Sequence, residues 1–453
     1  MTLQPIKGIE QEVATLLSRL IQIDTTNPPG NESAATSWLS RNLDAEGFHV
    51  ETYECGSKRG NLITRLRGTG EKPRLLLLSH LDVVAANPAE WRVNPFGGEI
   101  KDGFVWGRGA LDMKGMTAIE VMALKLLKRN NVNLKGDVIL AATADEEMGG
   151  AKGAEFLLGK HHKEVFAEYV LNEGGGSSIA TSNKNVFTVN TAEKGLVWLK
   201  VTARGTPGHG SMPDMADNAV TRMNSVLALL DKYRGRVELV PVVRQFLSEL
   251  AEEDQHLRFP LTRILENPQE SDLVLAELDK TAPAIADEIR PRLRMTITPT
   301  MISGGVKENV IPSECMAVFD CRVLPGQATG QVLDLIKDLL KDVGLDKLSF
   351  EIIQAQEPSE SPAETPLYKT IRNVLTDFEP GCGVAPVLMT GGTDSRFFRR
   401  AGSICYGFHP LRSETRFGEK AIRRDHGANE LISVENLVFG TTVLYETIRR
   451  FMA

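Results

Sequence analysis

His80, Asp82, Asp112, Glu146, Glu147, Glu173 and His426 are the residues of this chain whose types and placement suit chemistry on divalent cations. His80 and Asp82 follow the apolar run 75–79, and Asp112 closes the run 104–111. Asp145, Glu146 and Glu147 come after 138–143, and Glu173 comes after 169–172. Short apolar runs of this kind read as strands. In open α/β sheets, functional side chains gather in the crevice beyond the carboxyl ends of the strands. Four acidic or imidazole groups at strand ends would converge there, joined by His426 from the C-terminal region. Taken singly, each piece is ordinary: Asp112 before a helix makes a good N-cap, and an Asp-Glu-Glu corner is commonly just solvated. Their order, placement and ligand chemistry together point to a metal-dependent hydrolase.

The charges suit two cations. Asp112, Glu147 and Glu173 supply three negative charges against four positive ones, which leaves room for one hydroxide. His80 and His426 can each ligate one ion as neutral imidazole, and Asp112 can bridge the pair. Without metal, several carboxylates in one crevice repel, and some must protonate. Nitrogen and oxygen donors without cysteine fit zinc, cobalt or manganese. Two such ions lower the pKa of a shared water to roughly 7. Glu146, beside Glu147 but not needed as a ligand, is then free to act as general base. Asp82 is suited to hydrogen-bond His80 and set its tautomer.

The segments Ser-His-Leu-Asp-Val-Val (79–84), Gly-Arg-Gly-Ala-Leu-Asp-Met-Lys-Gly (107–115) and Ala-Asp-Glu-Glu-Met-Gly-Gly (144–150) resemble a known family. It is the dizinc family of aminoacylase, carboxypeptidase S, acetylornithine deacetylase and succinyl-diaminopimelate desuccinylase. The likeness runs from Ile-Gln-Ile-Asp-Thr-Thr-Asn-Pro (21–28) to His-Gly-Ala-Asn-Glu (426–430). It implies that His80, Asp112 and Glu173 ligate one zinc, and that Asp112, Glu147 and His426 ligate the other. It also implies Glu146 as general base and Asp82 as the carboxylate behind the first histidine. By the same resemblance, His209 in Gly-Thr-Pro-Gly-His-Gly-Ser (205–211) reaches an active site, often the partner subunit's, to stabilise an oxyanion. Asn309 and Arg322 match positions that contact a substrate carboxylate, for which an arginine fork is well shaped. Gly391 and Gly392 match a glycine-rich loop near that carboxylate.

At 453 residues the chain exceeds one typical core, so two domains are expected. Hydrophobic residues at 42% and charged residues at 25% describe an ordinary globular protein. A net charge of −7 argues against nucleic acid as a partner. The first seven residues hold no signal-peptide core, and no apolar run approaches membrane-spanning length. Five scattered cysteines read as free thiols in a reducing cytoplasm.

Helical spacing at 10–20 and 34–43, strands at 50–53, 61–67 and 74–79, and a helix at 115–129 open an α/β catalytic domain. Its central sheet is expected to be mostly parallel, as in zinc peptidases. A smaller α+β lid or dimerisation domain interrupts it at 194–357, with a helical insertion at about 234–292. The catalytic domain, begun at 1–193, resumes over 358–453. The implied activity is cleavage of an amide bond beside a residue with a free carboxylate, on a small peptide or an N-acyl amino acid. A homodimer through the lid is implied too. Two readings stay open: a dizinc aminopeptidase, and a non-catalytic binding protein on the same scaffold.

Overall fold

The computed structural model describes residues 3–413, 415–416, 418–419 and 425–453. Its centre is a ten-stranded mixed sheet. Four neighbouring strands run parallel, in the order Val138–Thr143, Leu75–His80, Tyr169–Asn172 and Ile404–Gly407. Antiparallel strands extend it, with Gly60–Leu66 and Val50–Glu54 on one side and Asn185–Glu193 on the other. Parallel strands are covered on both faces, which explains the unbroken apolar runs seen in the sequence. Leu75 and Leu77 pack in the cluster with helices Glu10–Ile21, Lys114–Arg129 and Val434–Met452. Leu76 and Leu78 point the other way, toward Leu157 and Phe398.

Lys114 opens its helix fully buried, and its ammonium donates to the Leu20 and Ile23 carbonyls at 3.1 and 2.8 Å. Leu20 is in the last turn of the first helix and Ile23 lies just past its cap, so the lysine ties two helices together where C-terminal carbonyls lack helical partners. Burial pushes its pKa down to about 8.

The expected strand leading to Asp112 is shorter than its apolar run. Phe104–Trp106 belongs to a separate three-stranded sheet with Glu99–Lys101 and Leu431–Ser433. Asp112 therefore sits in a loop and not at an end of the main sheet. The glycines at 107 and 109 take positive φ values of 148° and 91°, which break the strand.

A second sheet of four antiparallel strands is ordered Thr296–Gly304, Glu314–Val323, Gly195–Arg204 and Leu348–Gln356. Helices Ala219–Asp231 and Gly330–Leu339 cover one of its faces. The insertion between them packs chiefly elsewhere. Its helices Pro241–Glu253, Gln255–Glu266, Ser271–Thr281 and Pro283–Ile289 form one core with Val186, Ala192, Ala385, Val387 and Leu388. Those five residues lie on Asn185–Glu193 and Gly383–Met389 of the large sheet. Pro241 and Pro283 open two of these helices, where a missing amide costs nothing. Among the described residues, no helix is long and apolar enough to cross a membrane.

This packing ties the insertion to the large sheet. Phe246→Ala, which empties a fully buried position there, is expected to cost about 3–5 kcal/mol. Calorimetry should show one transition at a lower midpoint. An early separate transition, with the main one unmoved, would show the helices to be an independent appendage.

Candidate metal centre

The parallel register brings the first groups together. His80 lies directly opposite Thr143, so the residues following both strands emerge side by side. Beyond Thr143 the chain passes through Asp145 at φ 74°, a left-handed conformation that aspartate tolerates better than most residues. Asp145 Oδ1 accepts from Arg59 Nη2 at 2.8 Å and from Asn27 Nδ2 at 3.3 Å, and its Oδ2 accepts from the Lys152 amide at 3.0 Å. That clamp sets Glu146 and Glu147 in the short turn Glu146–Met148.

Asp82 joins the two strand ends. Its Oδ1 and Oδ2 accept from the Glu146 and Glu147 amides, each at 3.1 Å. Its carbonyl accepts from His80 Nδ1 at 3.0 Å, which leaves Nε2 of that ring for a ligand. His80 Nε2 faces Asp112 Oδ1 at 3.2 Å and Glu173 Oε2 at 3.7 Å. His426 Nε2 faces Asp112 Oδ2 at 3.1 Å and Glu147 Oε2 at 3.3 Å. Two clusters thus share Asp112, one oxygen turned toward each, and the ligand atoms of each cluster lie within 4.8 Å of one another. That is the spacing of groups arranged around a cation.

The electrostatics fit a metal as well. Burial raises Glu173 to about 7 despite His80 beside it. Burial, with Glu173 nearby, raises Glu146 well above the usual carboxylate range. Burial alone would lower His80, but Glu173, Asp112 and Asp82 hold it well above the ordinary imidazole value. Hydrogen bonds to Asp112 and Glu147 push His426 up to about 10. Asp112 moves opposite to Glu173, downward, because bonds from both imidazoles outweigh its burial. The carboxylates attract protons wherever no cation stands between them. Glu147 Oε1, buried and without a hydrogen-bond partner, is a further orphan that a cation would satisfy.

Several supporting residues were not legible in the sequence. Glu430 is buried and accepts from the Gly109, Leu111 and Asp112 amides at 3.0, 2.6 and 3.0 Å. It pairs with Arg108 at 2.8 Å, and Arg108 also donates to the His426 carbonyl at 3.3 Å. One buried ion pair therefore shapes both the loop of Asp112 and the loop of His426. Arg396 donates to the Gly149 carbonyl at 2.9 Å and lies 4.0 Å from Glu146 Oε1. Lys194 is buried, and burial together with Arg292 and Arg322 pushes it down to about 7. Such pairings span tens to hundreds of residues and leave no local pattern. Glu430 alone had a signal, an acidic residue four positions after His426.

The groups expected from the second domain are not all at the centre. His209 and Asn309 are exposed and lie next to one another, where Gly208–His209 pairs with Val310–Ile311. His209 Nδ1 contacts Ser211 Oγ at 2.7 Å. Among the described residues, no hydrogen bond or ion pair joins either to the metal-type clusters. Arg322 forks onto Asp320 at 2.8 and 3.1 Å. Gly391 and Gly392 are half-buried, and a Cβ added at Gly392 would come 3.4 Å from Gln356 Oε1.

A mixed sheet with carboxylate and imidazole clusters gathered beyond its parallel strands is the arrangement of a metal-dependent amidohydrolase. The chain belongs to Peptidase family M20/M25/M40, whose profile matches residues 76–450. It is 30% identical over 372 residues to the N-fatty-acyl-amino acid synthase/hydrolase PM20D1 of Xenopus tropicalis, spanning 80% of this chain and 69% of that one. Aminoacylase-1 of Sus scrofa is 26% identical over 418 residues, 89% of each chain. The M20 family metallo-carboxypeptidase Sso-CP2 from Sulfolobus solfataricus has the same fold, with a TM-score of 0.74 at 17% identity over 97% of this chain and 99% of that one.

Glu430→Ala is expected to destabilise the protein by about 3–5 kcal/mol, since it strands the buried Arg108 charge. Metal affinity should fall about 10–100-fold, the usual effect of losing a group that orients ligands. Thermal unfolding and metal titration read the two effects. Unchanged affinity would show that Glu430 does not govern the positions of Asp112 and His426.

Proposed function

We propose that the protein hydrolyses an amide bond on the amino side of a residue bearing a free carboxylate, using two divalent ions. The observation that carries the reading is the pair of clusters sharing Asp112, with Glu146 alongside and in neither. His80, Asp112 and Glu173 would hold one ion, and Asp112, Glu147 and His426 the other. The donor set suits zinc, with cobalt or manganese as substitutes. When bound, the ions supply a nucleophile at neutral pH and polarise the scissile carbonyl.

The chain's own residues do the rest. Asp82 orients His80 through its carbonyl and steadies the turn carrying Glu146 and Glu147. Glu146 takes the proton of the attacking water and delivers it to the leaving nitrogen, a role that a carboxyl raised by burial performs well. Arg322, with Lys194 near it, would supply the positive charge that a carboxylate seeks, and Asn309 and the amides of Gly391 and Gly392 would add donors. The names of two relatives, an N-fatty-acyl-amino acid hydrolase and an aminoacylase, support an acyl amino acid over an aminopeptidase substrate. Unpaired cysteines support a reducing, cytoplasmic setting.

The test is a hydrolysis screen of N-acyl amino acids, their carboxamides and aminoacyl amides, with and without chelator. Carboxylate substrates should be cleaved and chelator should abolish turnover. Glu146→Gln should lose at least about 10²–10⁴ in rate with metal content retained, whereas Glu147→Gln should lose metal. Preferred cleavage of aminoacyl amides would favour the aminopeptidase reading. Reversed effects of the two substitutions would exchange their roles.

The reading includes a lid-mediated homodimer in which His209 holds the oxyanion of a partner subunit's site. Its exposure, and that of Met212 and Met215 close by in the chain, supports that contact. Glu146→Ala and His209→Ala proteins should each be nearly inactive. Mixed after subunit exchange, they form dimers in which one site has both wild-type groups, so activity should return. No recovery, despite proven exchange, would place His209 in service of its own chain.

A further inference from the structure

The four-stranded sheet buries one face and leaves the other open. Val197, Leu199, Val201, Ala317, Phe319 and Cys321 lie in the helix-covered cluster. Their alternates point the opposite way, because side chains switch faces with each residue of a strand. Register then sorts the open face into rows. Leu196 opposite Arg322 and Gln356 forms the first row, next to the chain's crossings from the large sheet. Trp198 opposite Asp320 and Gln354 forms the second. Lys200 opposite Val318 and Glu351 forms the third, with Met301 beside Val318.

Two rows reach the loops of the metal centre. Gln356 Oε1 would be 3.4 Å from a Cβ at Gly392, and Gln354 Nε2 would be 3.4 Å from one at Gly149. Gly149 closes the turn that carries Glu146 and Glu147. The open face therefore looks toward the catalytic crevice, and Trp198 stands on it directly beside Gln354. Trp198 keeps 37% of its surface exposed. An indole is the side chain with most to gain from cover.

We propose that Trp198 is a specificity-determining wall of the substrate pocket. It would take an apolar or aromatic side chain on the residue whose carboxylate docks at Arg322. The inference rests on the hydrolytic reading above. Successive rows on one face are two residues apart, about 7 Å, which is comparable with the reach of a leucine or phenylalanine side chain from its own carboxylate. Charge supports the same choice. Arg322 binds Asp320 through Nε and Nη2, which leaves Nη1 to meet the substrate carboxylate, and Lys200 is paired with Glu351. Among the described residues of this face, Asp320 and Lys200 beside the indole therefore already have partners, and a charged substrate side chain gains nothing from them.

The test compares wild type with Trp198→Ala and Trp198→Phe on the N-acetyl derivatives of phenylalanine, leucine, alanine and aspartate, and on octanoyl-alanine. Wild type should prefer phenylalanine and leucine. In Trp198→Ala, kcat/KM for these two should fall roughly 10-fold or more beyond any fall for alanine, the scale of lost apolar contacts in a pocket. Trp198→Phe should keep most of the preference. An equal fall on every substrate, or a fall that follows acyl length, would overturn the proposal. A binding arm separates this from failure of the hydrolytic reading. Calorimetry with metal-loaded Glu146→Gln protein should show N-acetyl-phenylalanine binding more tightly than N-acetyl-alanine. Adding Trp198→Ala should erase that difference. Equal binding of the two ligands to the Glu146→Gln protein would overturn the proposal even where turnover is absent.

Discussion

Asp82, Asp112, Glu146, Glu147 and Glu173 are held in one largely buried crevice, and keeping five carboxylates there is the problem on which the rest of the structure depends. A buried charge without compensation costs several kcal/mol even after the protein relaxes. The upward shifts of Glu173 and Glu146 and the raised imidazoles show where that cost falls. Cations binding between Asp112 and its four partners would displace those protons, so metal affinity is tied to pH and strengthens as pH rises.

The surroundings extend the same principle outward. Arg59 is buried between Glu32 and Asp145, at 2.6 and 2.8 Å. Arg108 is buried against Glu430. Arg108 and Glu430 balance each other, and Arg59 is shared by two carboxylates; the remaining donors reach Asn27 and Pro29 from Arg59, and the Ala85 and His426 carbonyls from Arg108. Arg59 fixes the left-handed corner before Glu146, and Arg108 fixes the loops before Asp112 and His426. These arginines position the candidate ligands and would not compete for cations, because each already has a carboxylate of its own.

This division of labour explains what the sequence made legible. His80 and Glu173 could be placed because each ends an apolar run whose burial forces a strand. Asp112 could be identified by its neighbours but not located, since its run breaks at glycines and its loop is shaped by Glu430, 318 residues away. Arg59 and Arg108 carried no signal, as a buried pair is defined by a partner that only folding supplies. The helices at 241–289 show the same limit. Their composition announced helices, but which surface those helices would cover depended on strands Asn185–Glu193 and Gly383–Met389 having a bare side. Local pattern dictates that a face is buried, while the partner is a property of the whole chain.

The open sheet face follows from a different balance. Strands Gly195–Arg204 and Glu314–Val323 bury one face under two helices, which is enough apolar cover for a small layer to hold together. The opposite face is then released from packing and can carry Trp198, Arg322 and Gln354 toward the crevice. The metal centre gains its rigidity from parallel strands buried on both sides, where a change of side chain is felt throughout the core. A half-open antiparallel sheet has no such constraint. If the proposed role of Trp198 holds, substitutions on its free face would alter what the crevice accepts without disturbing the metal-type clusters, and chemistry and selectivity would then reside on sheets with different tolerance for change.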